Sequence, residues 1–528
     1  MKVEIYDSTL REGAQRAGVV FSDYEKEKII AALDGLGVDF IEMGYYGPSS
    51  AAALSGFAGR VKTRHAVLSV LCATRRPGGS ADTDETLVSL AASPIKAVAV
   101  VGKASLFQVE NVLGTDADTN LAMISETVRF LKNAGKTVIF DAEHFFDGWS
   151  YGPDYARASV MAAIGAGADR VVLCDTNGGM LPDIIGLATQ AIKKTAGGVP
   201  VGIHCHNDIG MADACTVSAV LSGASHVQCT VSGIGERCGN ANLTTVVPAL
   251  QLKLGFECIP SENLKTLSPV ARSICQTANL GFDESAPFVG GHAFLHKAGL
   301  HIDGIRKSRE SFEHINPDLV GNSRSLIMSE LAGKAAMKEL LSKFGFEFAK
   351  DSPEPERILN AVRSAEAAGS QFDASEASLY LLVRRTLGKE DAPFVLKDYK
   401  LIFSAEAEPE CRWSAIVKFD VGGEERLSAG EGDGPVNALD IAAHIALSGK
   451  YPYIADVKMV DIKTRIDSND RAASASIVRA YVEYGDGKNV WRTMGASADI
   501  IAASWSALLD AYEYCILMHR ENRSDRKF

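Results

Sequence analysis

The sequence lacks the features that define several classes of protein. None of its ten cysteines forms a C-x-x-C pair, which argues against a zinc ribbon, and scattered thiols suit a reducing compartment. The formal net charge is −12, so there is no basic excess for binding nucleic acid. No run of about 18 apolar residues is present, and the first residues lack the apolar core of a signal peptide. These absences predict a cytoplasmic protein that binds neither nucleic acid nor membrane.

What is present is a regular alternation of short apolar runs and helical patterns up to about residue 250. Eight runs are strand candidates: Val3–Tyr6, Asp39–Met43, Ala66–Cys72, Ala97–Val101, Thr137–Phe140, Arg170–Cys174, Val201–His204 and His226–Val231. Strands that alternate with helices form a parallel sheet, and eight such units predict an α/β fold of the (β/α)8 TIM-barrel type. A doubly wound open sheet is the alternative, but its first turn is usually a glycine-rich phosphate loop. Here that turn reads D-S-T-L-R-E-G-A-Q.

The sequence H-C-H, with His204 and His206, lies at the end of the seventh strand candidate. Residues two apart on a strand point to the same face, so both imidazoles could bind one metal ion. Alone, the pattern fits two surface histidines equally well. However, active sites of TIM barrels lie at the carboxyl ends of the strands. Polar side chains follow other strand candidates at this end, which favours a metal site: Arg11, Glu12, Gln15, Glu42, Glu143, Thr176 and Asn240.

The alternation is absent from roughly Asn279 to Leu387, and three domains are predicted. Residues 1–270 form the catalytic barrel, 271–395 a helical connector over the barrel mouth, and 396–528 an α+β domain. In the last domain, strands followed by a helix occur twice, which suggests an internal duplication. Its strand candidates are Trp413–Asp420, Val457–Ile466 and Ala475–Tyr484.

Four motifs together resemble those of one enzyme family. They are D-S-T-L-R-E-G-A-Q (7–15), G-I-H-C-H-N-D (202–208), G-I-G-E-R-C-G-N-A-N-L (233–243) and H-K-A-G-L-H (296–301). The chain resembles the 2-isopropylmalate, homocitrate and citramalate synthases, which are metal-dependent TIM barrels that catalyse Claisen condensations of acyl-CoA. Longer matches to the citramalate synthase branch include D-A-E-H-F-F-D-G (141–148) and G-D-G-P-V-N-A-L-D (432–440).

The resemblance implies an acyltransferase that condenses acetyl-CoA with pyruvate and water to citramalate and CoA, a step towards isoleucine. Formation of 2-isopropylmalate or homocitrate from another 2-oxo acid is the alternative within the family. Alternatives of another class are a retro-Claisen acyl-CoA lyase and a non-catalytic, metal-binding regulatory paralogue. The long carboxyl-terminal region argues against a lyase, because lyases of this kind resemble only the barrel part of this chain.

The resemblance also implies a role for each candidate site residue. The implied ligands of a divalent metal (zinc, manganese or magnesium) are Glu12, His204, His206 and Asn240. The implied catalytic residues are Arg11, Glu143, His301 and Asp303, and the implied substrate-binding residues are Gln15, Glu42 and Thr176. Two structural alternatives stay open: an ion pair between Arg11 and Glu42, and a helix N-cap at Thr176.

Two further expectations concern the regions outside the barrel. The last domain resembles the family's regulatory domain, which implies an amino-acid effector, isoleucine or leucine, and a homodimer. The connector departs from the family, because it has Phe312 where a tyrosine near the acyl-CoA is usual. Together with Cys229, where glycine is more usual, this departure puts the choice of 2-oxo acid in question more than the reaction class.

Overall fold

The computed structural model describes residues 1–296, 301, 304–305, 307–326, 341–342, 344–349, 352–372, 375–389, 392–405, 412–467, 476–486 and 489–521. The chain divides into two compact units. The barrel unit comprises Met1–Leu295 and Glu313–Ser325, and the carboxyl-terminal unit comprises His296–Phe312 and Leu326–Phe528. The division into three domains, at residues 270 and 395, stays a prediction.

Eight parallel strands close into a barrel in chain order, and β8 pairs with β1. They are β1 Glu4–Asp7, β2 Phe40–Tyr45, β3 Val67–Ala73, β4 Ala97–Lys103, β5 Thr137–Glu143, β6 Arg170–Asp175, β7 Val201–Cys205 and β8 His226–Cys229. The closed ring confirms the TIM barrel and excludes the open sheet. Strand β5 continues past its predicted end at Phe140, so Asp141 and Glu143 are strand residues.

Helices connect the strands of the barrel and surround them. The first shows how the sequence sets its ends: the Ser22 hydroxyl accepts from the Glu25 amide, the Glu25 carboxylate accepts from the Ser22 amide, and Gly37 ends the helix at φ 95°. The α-helices of this unit are Asp23–Leu36, Ala51–Arg60, Glu85–Ala92, Leu106–Gln108, Ala117–Asn133, Phe145–Tyr151, Pro153–Gly165, Pro182–Thr195, Ala212–Leu221, Leu243–Pro248 and Leu267–Thr277.

The barrel interior is a small apolar cluster, separate from the larger core between strands and helices. Alternate strand residues point inwards and form it: Tyr6, Phe40, Ala97, Ala99, Ile139, Val172 and Cys174. Polar side chains further along the same strands therefore stand above a packed floor, which restricts their movement.

The carboxyl-terminal unit contains two antiparallel sheets of three strands, and a helix follows each sheet. This confirms the predicted repeat, although the sequence identified only one strand of the first sheet and two of the second. The first repeat is Val395–Phe403, Trp413–Val421, Glu424–Gly432 and helix Pro435–Ser448. The second is Lys458–Asp467, Ile477–Gly485, Val490–Ser497 and helix Ile500–Arg520. The region between barrel and repeats includes helices Glu354–Ala367 and Glu376–Thr386 and the two-residue strands Leu295–His296 and Ser325–Leu326.

Within the described part of the chain, one helix, Ile500–Arg520, is long and apolar enough to cross a membrane. However, 61% of its apolar stretch is buried. Trp505, Leu508 and Tyr512 of this helix lie in the core of the carboxyl-terminal unit. Packing against its own sheet accounts for the apolar composition.

Candidate metal centre

Three residues with metal-binding side chains meet at the carboxyl end of the barrel. Glu12 follows β1, His204 lies in β7 and His206 follows β7, and one ligand atom from each lies within 4.8 Å of the others. His204 Nε2 is 3.8 Å from Glu12 Oε1. All three side chains are buried. The H-x-H spacing thus brings both imidazoles to one carboxylate, as the strand pattern predicts.

Several buried polar atoms at this point have no hydrogen-bond partner. They are Glu12 Oε2, His206 Nδ1 and both side-chain polar atoms of Asn240. Asn240 is adjacent because its backbone forms an antiparallel bridge with His206. A buried polar atom without a partner costs roughly 1–3 kcal/mol. One carboxylate, two imidazoles and one amide oxygen fit a divalent cation, which would offset the cost of those acceptor atoms that it binds.

The protonation states of the cluster also suit metal binding. Burial tends to raise the pKa of Glu12, but Arg11 and the two histidines outweigh it and lower that pKa to about 2. Burial lowers the pKa of His204 to about 3 and also lowers that of His206. At neutral pH the carboxylate is therefore ionised and both imidazoles are neutral, which are the forms that bind metal ions.

Arg11 lies beside this cluster and is held by two carboxylates. Its Nε donates to Glu42 Oε2 at 2.6 Å, and its Nη1 contacts Glu12 Oε1. Glu42 is fully buried, and its other oxygen accepts from the Tyr6 hydroxyl at 2.9 Å. The ion pair between Arg11 and Glu42 is thus present, and it orients the guanidinium above the barrel interior.

Glu143 and Thr176 lie on the same rim: Glu143 is the last residue of β5, and Thr176 directly follows β6. The Glu143 carboxylate forms an ion pair with Lys103 at the end of β4, and its side chain is 28% exposed. Thr176 Oγ1 accepts from the His144 amide at 2.8 Å, and its carbonyl accepts from Arg237 Nη2 at 2.7 Å. The Thr176 hydroxyl proton stays free to donate to a substrate.

The N-cap interpretation of Thr176 is wrong. The next helix begins at Pro182, and its N-cap position is Leu181. Residues between β6 and this helix instead form a turn around Asp175, whose carboxylate accepts from the amides of Gly179 and Met180.

The remaining predicted residues are less closely defined. Gln15 is exposed at the end of the short 3-10 helix Gly13–Gln15. His301 belongs to the carboxyl-terminal unit, where it is exposed and stacks on Phe312 with ring centroids 4.2 Å apart. Asp303 lies outside the described residues. The roles of these three residues, like those of the other candidate site residues, stay predictions.

The sequence patterns did not single out two polar residues of this end, Lys103 and Gln228. Lys103 pairs with Glu143, and Gln228 lies between His204 and Asp141. A lysine and a glutamine at the ends of otherwise apolar strands were the available signal, since buried polar residues need a partner. The partners themselves become apparent only when the barrel closes.

The sequence matches three known families along its length. Residues 2–274 match the HMGL-like family, 288–368 the homocitrate synthase post-HMGL domain-like family, and 373–516 the LeuA allosteric (dimerisation) domain. An (R)-citramalate synthase of Aquifex aeolicus is 41% identical over 522 residues, 98% of this chain and 99% of the relative. One of Synechocystis is 40% identical, over 97% and 95% of the two chains. This chain belongs to the citramalate synthase family.

HMGL-like proteins depend on a metal ion, and Glu12, His204 and His206 are residues with which this family member could hold one. Among solved structures, an HMG-CoA lyase of Bacillus subtilis is 18% identical, with a TM-score of 0.46. The alignment covers 53% of this chain and 95% of the lyase.

Proposed function

We propose that this chain condenses acetyl-CoA with pyruvate and water to form citramalate and CoA. Two observations together support this. The chain is similar to citramalate synthases over nearly its full length, and it has a buried Glu12–His204–His206 cluster beside Arg11. A carboxyl-terminal region that matches an allosteric domain disfavours a lyase built from the barrel alone.

Glu12, His204, His206 and Asn240 would hold the metal ion. Bound there, a divalent cation would act as a Lewis acid on the keto carbonyl of the 2-oxo acid. The donor set suits zinc, manganese or magnesium and does not select one of them. His204 lies in β7 and His206 directly follows it, while Glu12 lies in the loop after β1. Asn240 lies in the loop after β8 and is held next to His206 by their backbone bridge.

Arg11 would bind the keto oxygen and stabilise the alkoxide that develops on it, because a guanidinium donates several directed hydrogen bonds. Thr176 would donate to the carboxylate of the 2-oxo acid. Glu143 would remove a proton from the methyl group of acetyl-CoA, with Lys103 fixing its orientation. His301 and Asp303 are the candidates to assist proton transfer, and Gln15 is a candidate substrate contact.

These roles give a balanced reaction. The proton of the methyl group passes to Glu143, and the resulting carbanion forms a carbon–carbon bond with the keto carbon. The keto oxygen takes up the proton that Glu143 received, which restores the Glu143 carboxylate. Water then cleaves the thioester: its oxygen becomes part of the new carboxyl group, and the CoA thiol leaves with one of its protons.

A thiol-release assay with acetyl-CoA and a panel of 2-oxo acids tests the proposal. We expect CoA release with pyruvate, and mass spectrometry should identify citramalate as the product. Preference for 2-oxoisovalerate or 2-oxoglutarate would favour the other synthases. Cleavage of a citramalyl thioester without condensation would favour a lyase, and no turnover with any 2-oxo acid would favour the non-catalytic paralogue.

We also propose that the carboxyl-terminal unit binds isoleucine or leucine and supports a homodimer. The match of residues 373–516 to an allosteric dimerisation domain supports this. So does a cavity of about 810 Å³ in this unit, whose lining includes charged Asp440 and Lys458 and apolar Ile441 and Met459. A zwitterion with an aliphatic side chain needs both kinds of contact. A chain that ends at residue 395 should lose inhibition by the amino acid, and unchanged inhibition would contradict the proposal.

A cytoplasmic location is a further proposal. All nine described cysteines are free thiols, and eight of them are buried, which suits a reducing compartment. Cell fractionation would test it, and recovery with the membrane fraction or outside the cell would contradict it.

A further inference from the structure

The His204 imidazole has a hydrogen-bond partner on the side opposite the metal cluster. Its Nδ1 is 2.9 Å from Gln228 Oε1, while its Nε2 faces Glu12. The amide nitrogen of Gln228 in turn donates to Asp141 Oδ1 at 2.9 Å. The three side chains thus form a hydrogen-bond network, Asp141–Gln228–His204, that ends at the metal cluster.

The structure orients the Gln228 amide with its NH₂ group towards Asp141 and its oxygen towards His204. A carboxyl group offers an acceptor oxygen in either protonation state, so this arrangement is possible whether or not Asp141 is ionised. The amide oxygen of Gln228, which faces His204, can only accept a hydrogen bond. Nδ1 must therefore carry the imidazole proton, which leaves a lone pair on Nε2.

The three residues are buried and lie on strands. His204, Gln228 and Asp141 are 6%, 1% and 4% exposed, so water cannot readily replace one of the partners. His204 and Gln228 are directly paired across β7 and β8, and Asp141 lies on β5. Side chains on packed strands hold their positions better than those on loops.

His206 lacks such support within the described part of the chain. Its Nδ1 is buried and has no hydrogen-bond partner, and its position follows the end of β7. The two histidines of the cluster therefore differ: a side-chain hydrogen bond holds the second ring nitrogen of His204, and none holds Nδ1 of His206.

We propose that Gln228, oriented by Asp141, is a positioning residue that fixes Nε2 of His204 as the metal-binding nitrogen. The inference rests on the proposed metal site. A hydrogen bond to the second nitrogen sets the tautomer and ring orientation of a histidine ligand, and its loss typically weakens metal binding about 10–100-fold. Gln228 would therefore act on metal affinity without touching the substrate.

The tautomer itself can be measured without metal. In the metal-free full-length chain, long-range ¹H–¹⁵N NMR spectra should show His204 protonated at Nδ1, with His204→Ala used to assign the signal. Protonation at Nε2 in the wild-type chain would overturn the inference. Because this measurement needs no bound metal, it separates failure of the inference from failure of the proposed metal site.

Metal affinity provides the second readout, with Zn²⁺ alone as the probe in competition with a chelator. Gln228→Met has a side chain of similar length without a hydrogen-bonding group, and it should bind Zn²⁺ about 10–100-fold more weakly than wild type. Gln228→Glu should recover most of the affinity, because its carboxylate still accepts the Nδ1 proton. Wild-type affinity in Gln228→Met would contradict the inference.

Gln251→Met is the matched control. The Gln251 amide makes two hydrogen bonds of 3.1 Å with the backbone of Ile259 in the same unit. Its loss should lower thermal stability but leave Zn²⁺ affinity unchanged. An equal loss of affinity in both variants would identify the effect of Gln228 as general destabilisation and overturn the inference.

Discussion

The two ends of the barrel use the same residue types for opposite purposes. At the amino end, Glu4 of β1 accepts two hydrogen bonds of 2.6 Å from Arg170 of β6, and His226 Nδ1 lies 3.3 Å from it. At the carboxyl end, Arg11 and Glu12 are likewise in contact. There, however, Glu12 retains a buried oxygen without a partner.

The difference shows which end of the barrel contributes to stability and which end can bind a ligand. At the amino end the charges of Glu4 and Arg170 satisfy one another, although Nε2 of His226 is also buried without a partner. Substituting the charged pair should therefore affect stability. At the carboxyl end, buried atoms without hydrogen-bond partners destabilise the chain when no ligand is bound, and a ligand can offset this cost. These atoms belong to Glu12, His206 and Asn240. Residues at this end should therefore affect activity and metal binding more than stability.

The largest expected effect comes from Arg11→Ala, because it removes the donor to the developing alkoxide. We expect turnover to fall by roughly 10³-fold while bound metal is retained. Arg170→Ala is the control at the amino end and should lower stability without lowering turnover. Assays of CoA release and metal content check both variants, and near wild-type turnover in Arg11→Ala would refute the role of Arg11.

Glu143→Gln should have the next largest effect. It keeps the shape of the side chain but cannot take a proton, so we expect turnover to fall by about 10²-fold with little change in stability. The exchange of deuterium into acetyl-CoA, measured by mass spectrometry, should fall in parallel. If exchange continues at the wild-type rate while turnover falls, Glu143 is not the base.

Glu4→Gln should have a small effect that depends on pH. Burial tends to raise the pKa of Glu4, but Arg170 and His226 outweigh it and lower that pKa from 4.5 to about 2. The folded chain therefore binds this proton less readily than the unfolded chain, so the stabilisation is present above about pH 4.5. It is lost as the pH falls towards 2.

At neutral pH we expect Glu4→Gln to lower the free energy of unfolding by about 1 kcal/mol, since solvent screens the partly exposed pair. The difference from wild type, followed by urea unfolding, should shrink below pH 4.5. CoA release should be unchanged. A large loss of CoA release in Glu4→Gln would show that the amino end also determines activity, which contradicts the distinction between the two ends of the barrel.

Local patterns in the sequence predicted the parts of the site that depend on local geometry. Two histidines two residues apart on a strand must share a face, so the H-x-H pattern predicted that His204 and His206 lie together. Contacts between distant strands had no such signal. Gln228 and Asp141 are 87 residues apart, and their hydrogen bond forms only because β5 and β8 face each other across a closed barrel.

Strands in the carboxyl-terminal unit were missed for the same reason: contacts between distant residues leave no local pattern in the sequence. Glu424–Gly432 reads E-E-R-L-S-A-G-E-G and has only two buried residues. Its strand conformation comes from pairing with Trp413–Val421 over nine residue pairs. Apolar alternation could identify the inner strand Trp413–Val421, but not a neighbour that is held by backbone hydrogen bonds.

Metal titration of the metal-free chain tests the central claim, that Glu12, His204 and His206 form a metal site. Calorimetry should give about one ion bound per chain for wild type and for Glu4→Gln, with affinity at least about 100-fold weaker in His206→Ala. Absence of binding by the wild-type chain, or equal affinity in His206→Ala, would contradict the account.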